Sequence, residues 1–176
     1  MNIKIITINL VRILFLVAVT STPTDLAYSA SASKIIPEKQ QLDYNHMRHF
    51  LTHGDFNEVL EFLKLAITDR GLKISNISHI GEMLARTGKD IGANKTVYEN
   101  AKAIEFCSAS LSRKMLETEA TNIVFCPYNI VIYALPEQPN TIHIAYRRLI
   151  GGPEKSRRVL EEVENLLDDI IKDVIQ

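Results

Sequence analysis

Cys107 and Cys126 are the residues whose type and spacing most readily carry chemistry. Cys107 closes Ile104-Glu105-Phe106-Cys107, where an alternating strand gives way to a helix beginning at Ser108. Its sulfur is expected near the unpaired N–H groups of a helix N-terminus, a position that favours the thiolate and lowers a thiol pKa. Cys126 stands in Phe125-Cys126-Pro127-Tyr128, inside a run rich in β-formers. There the proline removes one ladder donor and implies a bulge or an edge position. A strand–helix–strand unit brings both cysteines to neighbouring strand positions. In an oxidising compartment such a pair bridges, and closing a loop of roughly 20 residues contributes about 3 kcal/mol in the chain-entropy picture. A reduced pair suits thiol redox, sulfur transfer or a soft metal such as copper(I) or zinc, with Met115 or a histidine as a third ligand. Two inert buried thiols are the third reading, and all three stay open.

The histidines look less like a metal cluster. His46, His49 and His53 fall in a strand candidate, Tyr44 to His53, where 46 and 49 point to opposite faces. His49 and His53 share a face but lie ~13 Å apart along a strand, too far for one ion with nitrogen ligands at about 2 Å. A helical segment would instead make those two neighbours. His79 and His143 stand isolated in the sequence. Around Gly151-Gly152-Pro153, Arg147, Arg148, Lys155, Arg157 and Arg158 supply five cations, and a glycine turn feeding a helix N-terminus can bind an anion. Lys155 to Arg158 equally reads as a solvated helix face. There is no G-x-S-x-G elbow, H-E-x-x-H, C-x-x-C or dinucleotide fingerprint. No cofactor is indicated.

These residues need elements to hold them. After the Tyr44 to His53 strand, Asp55 with Glu58 makes a capping-box-like start, and Phe56, Val59, Leu60, Leu63 and Ile67 recur at helical spacing up to Gly71. Leu72 to Ile77 reads as a strand, and Ile80 to Arg86 as a short helix stopped by Gly88. Residues 100–107 alternate as a strand, and Ser108 caps a helix through about Glu117. Asn122 to Ala134 is the strongest β signal, followed by a loop over 135–140 and a returning strand from Thr141 to Leu149. A final helix carries Val159, Val163, Leu166, Leu167, Ile170 and Val174 as one stripe, with Glu161, Glu162, Glu164, Asp168 and Asp169 opposite, expected to be solvated. The order β-α-β-α-β-α-β-β-α predicts a two-layer α+β domain over 44–176, with helices on one face of a largely antiparallel or mixed sheet.

The N-terminus has a different character. Lys4 precedes an uncharged run from Ile13 to Val19, Pro23 ends it, and Ala30-Ser31-Ala32 offers small residues for cleavage. Residues 1–32 therefore read as a signal peptide cut after Ala32, with a cut after Ser29 as the alternative, and 33–43 as a flexible leader. An uncleaved anchor is the competing reading, although the run is well short of the ~20 residues a spanning helix needs. The expected location is periplasmic or extracellular, with no stable membrane span after cleavage. A net charge of −1 over 176 residues gives no basic surplus, so nucleic acid is not an expected partner.

The segment from Ile77 to Ile144 resembles the bacterial and archaeal family called domain of unknown function 302. The resemblance rests on Ile104-Glu105-Phe106-Cys107, the helix Ala109 to Leu116, and Phe125-Cys126-Pro127-Tyr128-Asn129-Ile130-Val131-Ile132-Tyr133, with Phe56 to Gly71 matching an upstream amphipathic helix. The family often reads Cys-Asn-Pro at the first cysteine and Pro-Cys at the second. Here the residues are Cys107-Ser108-Ala109 and Cys126-Pro127, so the local backbone is expected to differ. The resemblance implies a compact α+β fold, a dimeric state, and no established activity. Two functions follow for testing. The first is a non-catalytic exported protein that binds a small ligand or a partner. The second is thiol-redox or soft-metal chemistry at Cys107 and Cys126. A structural homodimer through the last helix or an exposed sheet edge is the third.

Overall fold

A computed structural model of the protein describes residues 42–175. The segment read as a signal peptide, with nearly all of the leader, lies outside the described residues. The elements in chain order are β1 (Leu42–Tyr44), β2 (Met47–His53), α1 (Phe56–Thr68), β3 (Lys73–Ser78), α2 (Ile80–Gly88), β4 (Asn100–Cys107), α3 (Ala109–Thr118), β5 (Tyr128–Leu135), β6 (Gln138–Arg147) and α4 (Glu154–Val174). The strands form one sheet in the order β1-β2-β6-β5-β4-β3, every neighbouring pair antiparallel. The protein thus has the expected α+β architecture.

Alternation along the strands creates two unlike faces. Phe50, Ile104, Phe106, Ile130, Ile132, Ile144 and Tyr146 point to one side, where they pack with Leu63 and Ile67 of α1, Met115 of α3, and Val163, Leu167 and Ile170 of α4. Asp55 caps α1 by accepting from the N–H groups of Asn57 and Glu58 at 2.8 and 3.0 Å, and Gly71 leaves the helix with φ +70°. Both are the signals read in the sequence. On the other side of the sheet lie Ala101, Ala103, Val131, Tyr133, His143, Ala145 and His49.

The short α2 is the exception among the helices, because it lies on that second side against β4. Gly81 makes the approach: a Cβ there would stand 2.9 Å from the backbone nitrogen of Ala101. Backbone cannot yield as a side chain can, so Gly81→Val is expected to lower stability by about 1–3 kcal/mol. Chemical denaturation would measure the loss, and an unchanged midpoint would show that α2 is free to lift.

Several sequence expectations need correction. The single strand over Tyr44 to His53 is two strands, β1 and β2, with a turn at Asn45 and His46. The α-helix does end at Gly88, but the chain goes on into a 3-10 turn over Lys89–Ile91, and Gly92 at φ +70° makes the exit. The hairpin between β5 and β6 turns on Pro136 and Glu137 alone.

The strand expected from Asn122 begins only at Tyr128, because Ala120–Phe125 is a 3-10 turn. Local polar bonds win over β propensity there. Asn122 is buried, and its Nδ2 donates to Met115 O at 3.1 Å and Ser156 Oγ at 3.2 Å. Pro127 sits ahead of the strand, after a cis Cys126–Pro127 peptide bond, so the proline removes no donor from β5 itself.

Candidate functional site

The strand–helix–strand unit β4-α3-β5 brings the two sulfurs together. Cys107 Sγ lies 3.3 Å from Cys126 Sγ, both as free thiols and both half-buried. Ser112 of α3 is beside them, 3.6 Å from Cys126 Sγ, and its hydroxyl donates to Tyr128 OH at 3.1 Å. Ser108 caps α3, its Oγ accepting from Leu111 N–H. The expected fall in the Cys107 pKa does not occur. Burial pushes that thiol up, and the adjacent Cys126 sulfur adds to the rise, outweighing the Tyr128 N–H and the Ser112 hydroxyl that favour the thiolate. The serine cap occupies the helix end that was to serve the sulfur.

A second constellation was not legible. His49 and His143, read as unrelated, meet across the β2–β6 ladder, with Nε2 of one 2.9 Å from Nδ1 of the other. In register His143 faces Leu51, and His49 faces Ala145, whose methyl leaves room for the imidazole to lean toward His143. Tyr133, directly opposite His143 on β5, stacks on it with ring centroids 4.5 Å apart. The outer nitrogens, His49 Nδ1 and His143 Nε2, are buried without a partner among the described residues. Burial lowers both pKa values, and the proximity of His143 lowers that of His49 further.

Only the adjacency of β2 and β6 in space creates this pair, and nothing in residues 46–53 announces that adjacency. The unfolded chain therefore takes up protons first as the pH falls below the ordinary value of 6.5. Stability is fully present above that value and is lost below it. The urea midpoint is expected to fall between about pH 7.5 and about pH 5.5, and to fall less in His49→Phe. An equal fall in both proteins would assign the loss to other groups.

The third feature is an opening within the sheet. β5 and β6 pair from Val131↔Ala145 to Leu135↔Gln138. Beyond Val131 and Ala145 they keep only their outer partners, Tyr128–Ile130 on β4 and Tyr146–Arg147 on β2. A cavity of about 550 Å³ lies at this divergence. Ala103, Val131 and Ala145, directly paired across three strands, line it from the second face of the sheet. Leu149 and Leu167 line it from the core side, Phe125 and Pro127 at the strand end, and Ile80 from α2. His46, Asn129 and Arg147, with the tyrosines Tyr128 and Tyr146, are the polar residues of its lining. No strand periodicity predicts where a ladder stops, so this cavity was also missed.

Three cations of the candidate anion cluster already hold carboxylates. Arg148 Nε is 3.4 Å from Glu164, Lys155 Nζ is 3.2 Å from Glu119, and Arg157 pairs with Glu154. Arg147 is exposed and borders the cavity. His46 is in the β1–β2 turn, His53 ends β2, and His79 precedes α2 with Nδ1 2.7 Å from Glu82. Met115 is fully buried in the core. Among the described residues no three His, Cys, Asp or Glu side chains converge as a metal-ligand group.

The acidic face of α4 is not solvated throughout. Asp168 is only 5% exposed and binds two partners from the sheet, Arg48 Nη2 at 3.0 Å and Tyr146 OH at 2.6 Å. Among the described residues no helix is long and apolar enough to cross a membrane.

Known proteins corroborate the architecture. No curated protein matches the chain. A crystal structure of an uncharacterized conserved protein DUF302 from Bacillus stearothermophilus is similar, with a TM-score of 0.61 and 14% identity, over 74% of this chain and 99% of that one. At that identity the likeness speaks for the fold. The family described as Domain of unknown function DUF302 matches residues 48–174, nearly the whole of the sheet and helices described above, and the chain belongs to that family.

Proposed function

We propose that the protein is an exported binding protein that holds a small ligand, without turnover, in the opening between β5 and β6. The observation that carries this reading is the cavity itself. Its volume of about 550 Å³ falls within the range of small-molecule sites, and its walls are mostly apolar with a few polar groups, the composition such sites share. A neutral apolar probe tests it. Nile red is expected to bind the purified protein with a fluorescence gain, and Val131→Phe, which fills the floor, is expected to remove most of that gain. A gain unaffected by the substitution would place the dye elsewhere and end the reading. Export is tested by intact mass of protein recovered from the periplasm: removal of residues 1–32 supports it, and a full-length mass contradicts it.

A second reading, thiol exchange at Cys107 and Cys126, is favoured by the 3.3 Å sulfur separation. Two thiolates on a tetrahedral zinc with Zn–S near 2.3 Å stand about 3.8 Å apart, so the present spacing is nearer to bridging than to metal ligation. Conversion of the dithiol to a disulfide releases two protons and two electrons. The electrons and protons would reduce a partner disulfide to its two thiols through a mixed-disulfide intermediate.

A further inference from the structure

We infer that the ligand of this cavity is a monoanionic amphiphile, an apolar carboxylic acid whose carboxylate is read by Arg147. The inference rests on the cavity being the binding site, and goes further by assigning the ligand's charge and shape. Arg147 is the one arginine or lysine that lines the cavity among the described residues, and several other cations of the fold already hold carboxylates. Arg48 is held by Asp168, Arg148 by Glu164, Lys155 by Glu119 and Arg157 by Glu154. Arg147, which borders the cavity, has no carboxylate partner among the described residues. No aspartate or glutamate lines the cavity among those residues either. Glu105, opposite Asn129 in the register, accepts from Asn76 Nδ2 at 3.4 Å.

Two further donors stand beside that cation. Asn129 offers its side-chain amide. The inner edges of Tyr128–Ile130 and Tyr146–Arg147 have no ladder partner across the opening, and strand backbone without a partner seeks one from water or a ligand. A planar carboxylate matches a guanidinium fork together with an N–H or amide donor. One unpartnered arginine suits a single negative charge, whereas the second charge of a phosphate dianion would find only the His46 imidazole in the lining. The remainder of the ligand meets methyl and ring surface at Ala103, Val131, Ala145, Phe125 and Leu149. Val124, 75% exposed, lies at the same cavity, which extends apolar contact toward solvent. A polar acid such as a sugar acid would leave its hydroxyls unpaired against these walls.

The test is displacement of Nile red from the full chain by three ligands of equal chain length: decanoate, 1-decanol and decylamine. Decanoate is expected to displace the dye at about ten-fold lower concentration than the alcohol, the size of one charge-assisted hydrogen-bond contact. Decylamine is expected to be weaker than the alcohol. Arg147→Gln removes the preference for decanoate, read as the ratio of the decanoate and 1-decanol displacement concentrations, so that any change in dye affinity cancels. Arg147→Lys restores part of the preference. If the alcohol competes as well as the acid, or if Arg147→Gln leaves the preference intact, the inference is overturned and the cavity reading stands. If Nile red is bound but none of the three displaces it, the inference also fails. If Nile red does not bind, the cavity reading has failed first and the inference falls with it.

Discussion

Asp168→Ala is expected to destabilise the protein by about 2–4 kcal/mol, read from urea denaturation, somewhat below the range for removing one member of a fully buried charged pair because Arg48 is partly exposed to water. Asp168 joins helix α4 to two strand residues at once. It accepts from Arg48 Nη2 at 3.0 Å and from Tyr146 OH at 2.6 Å, and its side chain is 8% exposed against 23% for Arg48. Burial first, and then the Asp168 carboxylate, raise the Tyr146 pKa far above the usual phenol range, so its hydroxyl is a fixed donor. Alanine strips the carboxylate from a half-buried guanidinium and leaves that hydroxyl without its short bond. Asp168→Asn keeps an acceptor for Tyr146 and gives up only the charge, so a smaller loss of about 1–3 kcal/mol is expected. Equal losses in the two variants would assign the effect to the space the side chain fills. In Arg48→Met the cost of Asp168→Ala should shrink, and a cycle of the two changes measures how much of the loss is their mutual interaction.

Mild oxidation should convert Cys107 and Cys126 to an intramolecular disulfide and raise stability by about 3 kcal/mol. The sulfurs stand 3.3 Å apart across 19 positions of sequence, so closure asks for a contraction within one packed unit and no rearrangement of strands. Intact mass with alkylation, before and after reduction, counts the thiols. The rate carries the second half of the expectation. Burial, followed by the neighbouring sulfur, raises the Cys107 pKa above 9.0, so little thiolate is present at neutral pH. Reaction should therefore be slow near neutrality and accelerate as the pH approaches the thiol value. Ser112→Ala removes a hydroxyl that favours the thiolate and should slow it further. A pair that resists oxidation even at alkaline pH would be an inert core pair. Fast oxidation at neutral pH would mean that a thiolate is stabilised in a way this packing does not provide.

Much of the frame was legible because it follows from local physics. The period of α1 and its Asp55 cap, the alternation of β4, the Ser108 cap and the apolar stripe of α4 are each written within one segment. The meeting of Cys107 and Cys126 was legible for the same reason, since a strand–helix–strand unit constrains its two ends. What was missed depends on residues distant in sequence. His49 and His143 are 94 positions apart and meet because β6 inserts between β2 and β5. Asp168 reads as one acid in a charged face until Arg48 and Tyr146 are placed beneath it. The β-rich residues 122–125 were drawn into a 3-10 turn by the buried Asn122 amide, a tertiary demand that propensity does not encode. The divergence of β5 from β6 has no compositional mark, although the small residues on its floor, Ala103 and Ala145, leave the space it needs.

The ends of the strand order have a consequence for life at high concentration. Among the described residues, one outer strand, β1, is three residues long. The other, β3, carries an extra residue at Ser75 between the pairs Ile74↔Phe106 and Asn76↔Glu105, and the Ser75 hydroxyl donates to Glu105 O at 2.9 Å. A long, flat outer strand offers a template on which further chains can polymerise, and brevity and local kinking are two ways proteins deny it. Among the described residues both borders of the six-stranded sheet are thus blunted, which works against growth into a fibre by strand addition.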